Sequence, residues 1–577
     1  MNYSRLGLRA LNEYRRVSPL TYLGLRYCLS ATATQGDRWA REIAPEVLRR
    51  QDEPSYLTCR QYKETRENGS LIYRALHFPG ANEALAESAL LRACAEQGGR
   101  FSPAEDVFSY HLAPPYSTEG VFVPYFKLFA ARHEAIGKAC RRCSTDIVIY
   151  ADIKRFYPSV KYALAKRAWQ DACCTSGLEA EFRRLGEHLL EVSQEVGEGL
   201  LVGPMFSHML GNLVLAGFDD QMRTRFPGRF FRYVDDIALV IPAQEQKIAL
   251  AFVRERLKRL GLELNPKKFC HLSAREWIRG APHQGGDYSG MDESGTDVGW
   301  MRLVDQIKCF LILNPGSEAE LARAFRDEGV RIPLPRYASA IEESGYGARF
   351  VRRAEKLEFR RMVRGLSVQR LVGEVRTAGA IYRKDFDEAW EAYAKAEKMQ
   401  QKWLISRLRY GLGRLVSIAP GGDLGTIAAL LAGRREFAEF QAVFDALTTR
   451  DVSRLVRFSG KVNAAAGQAL ATMGKPVRCV PATWSRESVE GYVTLLLLGA
   501  NLHPEPPTWV RRRTAVRVVA GEVEARDWHE AGTPFLRELA ALAGKPSLEK
   551  HRSLLQAPLD PDERWVLFAD ELQGVNS

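Results

Sequence analysis

Three aspartates in the middle of the chain have the residue type and the surroundings that divalent-cation chemistry requires. Asp152 lies at the end of an apolar, β-branched run, and Asp235 and Asp236 lie between two further apolar runs. Magnesium takes oxygen ligands, usually a few carboxylates together with substrate phosphates and water. A pair of such cations can activate an attacking hydroxyl and stabilise a leaving phosphate group. The aspartates therefore predict a site for Mg²⁺, with Mn²⁺ as a possible substitute.

The elements that must position these aspartates are predicted from the apolar runs. Ile147–Ile153 is typical of a buried strand, and Arg229–Ile241 of two strands around a tight turn at Asp235–Asp236. On adjacent antiparallel strands, Asp152 and the tip of this hairpin can meet. Aspartate is also common in plain hairpin turns, so the Asp235–Asp236 pair alone fits an ordinary turn equally well.

Composition restricts the class of protein. The 577 residues suggest three or four structural units. A net charge of +12 and a pI near 9.1 favour a polyanionic partner, nucleic acid first. We find no apolar run long enough for a transmembrane helix and no signal-peptide layout. The ten scattered cysteines indicate reduced thiols rather than a disulfide framework or a zinc site, so we expect a cytoplasmic protein without a membrane partner.

Four segments around the aspartates follow one another between about residues 105 and 275. They are Tyr150–Val160, Gly203–Ser207 with Asn212 and Asp219, Phe231–Asp236, and Gly261–Lys268. In order and spacing they resemble motifs A, B, C and D of reverse transcriptases. The resemblance implies an α+β fold with right-hand polymerase fingers and an antiparallel palm sheet. It also implies dNTP substrates and RNA or DNA as the nucleic-acid partner.

The resemblance implies a role for each matched position of motifs A and C. Asp152, the backbone carbonyl of Ile153, and Asp235 would bind the metal ions, with Asp236 supporting them. Tyr157 falls where the family places the aromatic ring that excludes a ribose 2′-OH, the group that distinguishes RNA from DNA. The alternative for Tyr157 is plain core packing beside its neighbour in the chain.

Motifs B and D carry further candidates. Lys268 matches the lysine that protonates pyrophosphate as a general acid. Its neighbour Lys267 is a rival, and a solvated lysine pair is the alternative. Gly203, Ser207 and Asn212 would line the nucleotide and template pocket, against the alternative of helix packing. Where retroviral and group II intron enzymes carry Pro-Gln-Gly, this chain reads Leu-Val-Gly, so one polar contact of the family is missing.

The Gly-Pro-x-x-Ser form of motif B resembles that of abortive-infection reverse transcriptases, which defend bacteria against phage. Asp-Ile-Lys-x-Phe-Tyr-Pro-Ser in motif A and Val107–Leu112 in the fingers point to the same class, with His111 where arginine is usual. The resemblance implies DNA synthesis that is protein-primed and even independent of a template. Candidate priming tyrosines are Tyr288, Tyr337, Tyr346, Tyr382, Tyr393 and Tyr410.

The predicted organisation has four segments. Residues 1–100 form a helical N-terminal extension and part of the fingers, and residues 101–285 form the fingers and palm. Residues 286–315 form a connection, and the stretch 282–299 at its start is rich in Gly, Asp and Ser. Residues 316–577 form a large, all-helical, repeat-like domain that resembles the C-terminal region of abortive-infection enzymes. Such a domain suggests a homo-oligomer or a non-coding RNA partner.

Basic side chains interleaved with aromatics in the fingers predict a channel for nucleic acid. The candidates are Lys127, Arg132, Arg141 and Arg142. The alternative is a helix with a solvated charged face. Two other functions remain open from the sequence. One is a retron or group II intron type enzyme acting on its own RNA, and the other is a non-catalytic scaffold that binds nucleic acid.

Overall fold

The structure is a computed structural model. The chain folds into two compact units, each with its own set of internal contacts. The first unit comprises Met1–Glu13, Gly36–Leu57 and Leu76–Ser294, and the second comprises Tyr14–Gln35, Thr58–Ala75 and Gly295–Ser577. The residues described are 9–10, 13–14, 18–32, 54–115, 120–266, 268–278, 300–314, 316–334, 365–396, 398–522, 532–544 and 547–556. In these ranges no helix combines the length and the apolar character needed to cross a bilayer.

A four-stranded antiparallel sheet organises the first unit. Its strands are β3 (Ile147–Asp152), β4 (Phe230–Tyr233), β5 (Asp236–Ile241) and β6 (Cys270–Ser273), in the spatial order β4-β5-β3-β6. Strands β3 and β5 are buried almost throughout, which agrees with their continuous apolar sequences. Their register pairs Asp152 directly with Asp236. The predicted α+β class and antiparallel sheet are confirmed at this level.

Helices cover this sheet and hold the segments between its strands. They are α2 (Ala81–Ala95), α3 (Tyr125–Arg142), α4 (Phe156–Ser159), α5 (Tyr162–Cys174), α6 (Ala180–Val196), α7 (Met205–Arg225) and α8 (Gln246–Arg259). Helix α3 packs on β4 and β5, and α7 packs against α2 and α5. Helix α7 has buried side chains from Met205 to Met222, because it lies inside the unit rather than at its surface.

The second unit is nearly all helical in its described part. Its helices are α1 (Pro19–Thr32), α9 (Trp300–Leu313), α10 (Glu318–Asp327), α11 (Val368–Lys395), α12 (Lys398–Ile418), α13 (Gly421–Leu431), α14 (Ala438–Thr449), α15 (Lys461–Met473), α16 (Arg486–Leu497), α17 (Thr508–Arg511), α18 (Thr514–Ala520), α19 (Pro534–Ala543) and α20 (Leu548–Gln556). Successive helices pack as α11 on α12 and as α13 to α16 in sequence. One short parallel pair, β7 (Val477–Arg478) with β8 (Leu502–His503), interrupts the predicted all-helical region.

The structure differs from the predicted organisation in two segments, residues 1–100 and residues 286–315. Residues 1–100 are not helical throughout, since β1 (Tyr56–Thr65) and β2 (Leu71–Pro79) form a two-stranded sheet. The sequence carried the signal, because Asn68–Gly69 is a strong hairpin turn and Gly69 has φ +78°. The predicted connection 286–315 contains helix α9, and its residues up to 299 lie outside the described part.

Helix α1 belongs to the second unit although it is close to the N-terminus. It packs on α19 and α20 near the other end of the chain. The buried Tyr27 hydroxyl and His551 Nδ1 lie 2.8 Å apart, and His551 Nε2 lies 3.1 Å from the carbonyl oxygen of Val518. An early helix of the chain and two late helices therefore pack together in the second unit.

Candidate active site

The fold brings the three predicted carboxylates together at one end of the sheet. Asp152 is the last residue of β3, Asp236 is the first residue of β5, and Asp235 precedes it in the turn. One carboxylate oxygen from each lies within 4.8 Å of the others. Asp152 is buried, Asp235 is half-buried and Asp236 is exposed. The cluster can therefore hold a metal ion and is open to solvent on one side.

The electrostatics of the cluster fit a cation. Burial, followed by the neighbouring charges of Asp236 and Asp152, raises the pKa of Asp235 to about 6. Like charges at this separation disfavour full ionisation, and a bound divalent cation relieves that repulsion. Because all three donors are carboxylate oxygens, the set suits a hard cation such as Mg²⁺.

Two residues of the motif D segment, Asn265 and Lys268, contact the side chain of Asp152. Lys268 Nζ lies 2.6 Å from Asp152 Oδ1, and Asn265 Nδ2 donates to Asp152 Oδ2 at 3.1 Å. The backbone N–H of Asn265 also donates to the carbonyl oxygen of Asp152 at 2.7 Å. Burial lowers the pKa of Lys268, but its hydrogen bond to Asp152 and the charges of the cluster outweigh this and raise it overall. The ammonium of Lys268 thus supplies positive charge to the carboxylates, whereas its rival Lys267 lies outside the described residues.

Ile153 continues β3 into the site. Its backbone N–H donates to the carbonyl oxygen of Asp235 at 2.9 Å, and it forms a bridge with Leu264. This hydrogen bond ties the strand end to the turn that carries Asp235 and fixes the relative position of the two aspartates. The proposed use of the Ile153 carbonyl as a metal ligand stays a prediction.

The turn before Asp235 has a strained backbone. Val234 has φ +54°, the left-handed region that a β-branched residue rarely adopts. Such a conformation costs on the order of 1–3 kcal/mol and persists only where neighbours hold it. Arg232 Nη1 donates to the carbonyl oxygen of Val234 at 2.7 Å, and Ser109 Oγ accepts from the Val234 N–H at 2.9 Å. Both backbone groups of the strained residue are thereby fixed.

Arg232 is itself held by a buried network that sequence reasoning missed. Its side chain is fully buried and forms a two-point ion pair with Asp219, at 2.7 Å from Nε and 2.6 Å from Nη2. Its Nη2 also donates to Asn212 Oδ1 at 3.2 Å, and Asn212 Nδ2 donates to the carbonyl oxygen of Ser109 at 2.9 Å. We call Arg232, Asp219, Asn212 and Ser109 the turn clamp. The arginine beside the Tyr-x-Asp-Asp segment was the available signal.

The clamp changes the interpretation of motif B. Asn212, predicted to contact the nucleotide, is only 4% exposed, and both of its polar atoms are bonded inside the protein. Ser207 is likewise buried. Gly203 has φ +127°, and a Cβ there would lie 2.5 Å from the carbonyl oxygen of His77. The structure therefore gives all three a role in packing, and the contact of Asn212 with a nucleotide is not supported, because its amide is already satisfied.

Tyr157 lies in the short helix α4 and is half-buried. Its hydroxyl is 2.7 Å from Nδ1 of His208 on helix α7. Burial raises the pKa of Tyr157 well above its ordinary value, and the charges of Tyr110 and Asp235 add to the rise. The charge of the Asp235 carboxylate therefore acts on the Tyr157 hydroxyl. His208 was not predicted from the sequence.

The basic residues of helix α3 divide into two groups. Arg132 is 3% exposed, its Nη2 donates to the carbonyl oxygen of Asp236 at 3.3 Å, and its guanidinium lies over the ring of Tyr150. Its guanidinium is used inside the first unit, and its contact with nucleic acid stays a prediction. Arg141 and Arg142 are exposed and Lys127 is half-buried, so these three keep their candidate role.

Comparison with known proteins finds no matching family model and no matching curated protein. Among solved structures, the chain is similar to telomerase from Candida albicans in complex with the TWJ fragment of telomeric RNA. The TM-score is 0.27 and the identity 10%, over 68% of this chain and 64% of that chain, which is less than two thirds of its length. It is also similar to apo telomerase from Candida tropicalis, with a TM-score of 0.26 and 11% identity over 69% and 70% of the two chains. Similarities of this size do not establish a shared fold, so the function proposed below rests on the site itself.

Proposed function

We propose that this protein is a metal-dependent nucleotidyltransferase that polymerises deoxynucleotides in the manner of a reverse transcriptase. The observation that carries the proposal is the carboxylate cluster of Asp152, Asp235 and Asp236, placed within 4.8 Å on paired antiparallel strands. The order of the four sequence motifs around the cluster supports it.

The donor set fits Mg²⁺, with Mn²⁺ as a substitute. When bound, such cations lower the charge barrier to attack by a 3′-hydroxyl and stabilise the leaving pyrophosphate. Asp152 and Asp235 would be the ligands, with Asp236 at the exposed side of the cluster. The hydrogen bond from Ile153 to Asp235 and the turn clamp hold these ligands in place.

Lys268 would leave Asp152 Oδ1 when that oxygen serves as a metal ligand. Its ammonium, now bonded to Asp152 at 2.6 Å, is then available to donate a proton to the pyrophosphate as a general acid. Tyr157 would meet the sugar of the incoming nucleotide and exclude a 2′-OH. Arg141, Arg142 and Lys127 would contact the phosphate backbone of the nucleic acid.

The biological role proposed is defence against phage by abortive infection, and its support is the resemblance of motifs A and B. The same resemblance supports priming by a tyrosine of the chain and synthesis without a template. Tyr382, Tyr393 and Tyr410 are the candidates in the described part. Tyr382 and Tyr393 are buried in the second unit, which makes Tyr410 the more accessible of the three.

The test is synthesis of polymer by the purified full-length chain. The reaction contains Mg²⁺ and all four dNTPs, with primed RNA, with primed DNA, or with neither. We expect labelled product from the wild type and none from Asp235→Asn, while EDTA abolishes it. Absence of product in all three reactions would contradict the proposal. Mass spectrometry of the product for a nucleotide on tyrosine distinguishes protein priming from priming by an oligonucleotide.

A further inference from the structure

Four aromatic side chains form a compact group beside the candidate metal site. The rings of Tyr110 and His208 are stacked, with centroids 4.0 Å apart and planes 4° from parallel. The ring of Tyr157 meets His208 edge-on at 5.5 Å, and its hydroxyl lies 2.7 Å from His208 Nδ1. Phe122 contacts Tyr110 and His208 edge-on. His208 is therefore fixed on one face by Tyr110 and on its edges by Tyr157 and Phe122.

The chain around Tyr157 is fixed as tightly as its hydroxyl. Its carbonyl oxygen accepts from the Leu200 N–H at 2.9 Å. A Cβ at Gly199 would lie 2.7 Å from that same oxygen, and a Cβ at Gly211 would lie 3.6 Å from the ring of Tyr157. The loop before helix α7 and the first turns of α7 thus close around this residue. The contacts of its hydroxyl with His208 and Tyr110 then restrict the direction of the ring.

The contact joins two uncharged groups. Burial lowers the pKa of His208 to about 3, and burial raises the pKa of Tyr110 and of Tyr157 above the ordinary value. The bond therefore persists across the neutral range without gain or loss of a proton. Tyr110, His208 and Tyr157 each keep part of their surface accessible, whereas Phe122 is buried, so the group lies at the edge of the core.

We infer that His208 and Tyr110 are positioning residues for sugar selection, which hold the ring of Tyr157 where it excludes the 2′-OH of a ribonucleotide. The inference rests on the proposed function and deepens it by assigning the selectivity to a hydrogen-bonded aromatic group rather than to one side chain. A side chain in a single orientation discriminates better than one that can turn away, because the excluded group then has no space to enter.

The experiment measures the ratio of kcat/KM for dATP to kcat/KM for ATP in single-nucleotide addition by the full-length chain with Mg²⁺. The variants are Tyr157→Ala, Tyr157→Phe, His208→Phe and the double variant Tyr157→Phe with His208→Phe. His208→Phe keeps a ring for stacking on Tyr110 and removes only the hydrogen bond. The matched control is His188→Phe, a half-buried histidine on helix α6.

We expect Tyr157→Ala to lower the ratio most. His208→Phe and Tyr157→Phe should each lower it by about three- to ten-fold, the range that one neutral hydrogen bond provides. The double variant should lower it no further than Tyr157→Phe alone, because that variant already removes the hydroxyl that His208 and Tyr110 both contact. His188→Phe should leave the ratio unchanged. A purely structural defect would reduce both rates and leave their ratio where it was.

Each contrary result has its own meaning. No product from the wild type overturns the proposed function and this inference together. Normal synthesis with an unchanged ratio in Tyr157→Ala overturns the role of the tyrosine and of its supports. A changed ratio in Tyr157→Ala with a wild-type ratio in His208→Phe, or additive effects in the double variant, overturns the inference and leaves the proposed function standing.

Discussion

The first unit contains two kinds of carboxylate, and their surroundings differ in how the negative charge is balanced. Asp219 in the turn clamp receives two N–H groups from one fully buried arginine. In the metal-site cluster, three carboxylates lie beside one ammonium, that of Lys268, which is bonded to Asp152. Burial, followed by the charges of Asp236 and Asp152, raises the pKa of Asp235. A buried carboxylate paired with one arginine supports the fold, whereas three carboxylates beside one lysine carry excess negative charge and are ready to bind a cation.

The largest effect expected from this contrast is on activity. Asp235→Asn removes a proposed metal ligand, and loss of metal stabilisation at the transition state should lower polymer synthesis by at least about a thousand-fold. The matched control is Asp220→Asn, an exposed aspartate of helix α7 whose charge is partly met by Arg223. Comparable activity of the two variants would erase the distinction between the cluster and other aspartates.

The clamp should show the opposite pattern, with a large effect on stability. Arg232→Ala leaves Asp219 buried without its partner, which should lower the free energy of unfolding by about 3–5 kcal/mol. Urea denaturation measures this. Arg223→Ala, which breaks a more exposed ion pair with Asp106 at 3.1 Å, should cost about 1 kcal/mol or less. Equal losses in the two variants would show that the buried network has no special importance.

The pH dependence of stability sharpens the same contrast. The pKa of Asp235 is about 6 in the folded protein and about 3.9 in an unfolded chain. Between these values the folded state binds more protons, so its stability falls as pH rises through this window. We expect this group to contribute a decrease of about 1–3 kcal/mol in metal-free buffer, and Asp235→Asn to lack it. The same pH profile in both proteins would contradict the raised pKa that burial and the neighbouring carboxylates give to Asp235.

The smallest effect expected concerns the strained turn that links the two regions. In the variant Val234→Gly, glycine adopts φ +54° without a steric clash, but it also gives the unfolded chain more conformational entropy, which opposes folding. We expect the free energy of unfolding to rise by about 1 kcal/mol or less, measured by thermal or urea denaturation. A decrease of more than about 1 kcal/mol would mean that the valine side chain contributes packing that outweighs the strain.

The sheet and its aspartates could be predicted because local sequence determines them. Apolar β-branched runs specified β3 and β5, and the carboxylates at their ends could be recognised from residue type alone. The hairpin of β1 and β2 was missed because its strands mix Tyr, Thr, Arg and Lys and so lack a continuous apolar run. There the turn at Asn68–Gly69 was a better guide than hydrophobicity.

The partners of buried polar groups could not be predicted from the sequence. Asn212 and Arg132 have the residue types of a ligand-binding amide and a phosphate-binding arginine, and only folding shows which groups inside the protein each contacts. Asn212 bonds to Ser109, which lies far away along the chain, and no periodicity encodes such a pairing. For the same reason His208 could not be connected with Tyr157 before the fold was known.

The most direct test of the account is a crystal structure of the full-length chain grown with Mn²⁺ and a non-hydrolysable dNTP, analysed by anomalous scattering. We predict an anomalous peak bound by carboxylate oxygens of Asp152 and Asp235, with Lys268 Nζ no longer bonded to Asp152 Oδ1. A map with no peak at the cluster and with Lys268 still bonded to Asp152 would contradict the assignment of these aspartates as the metal site.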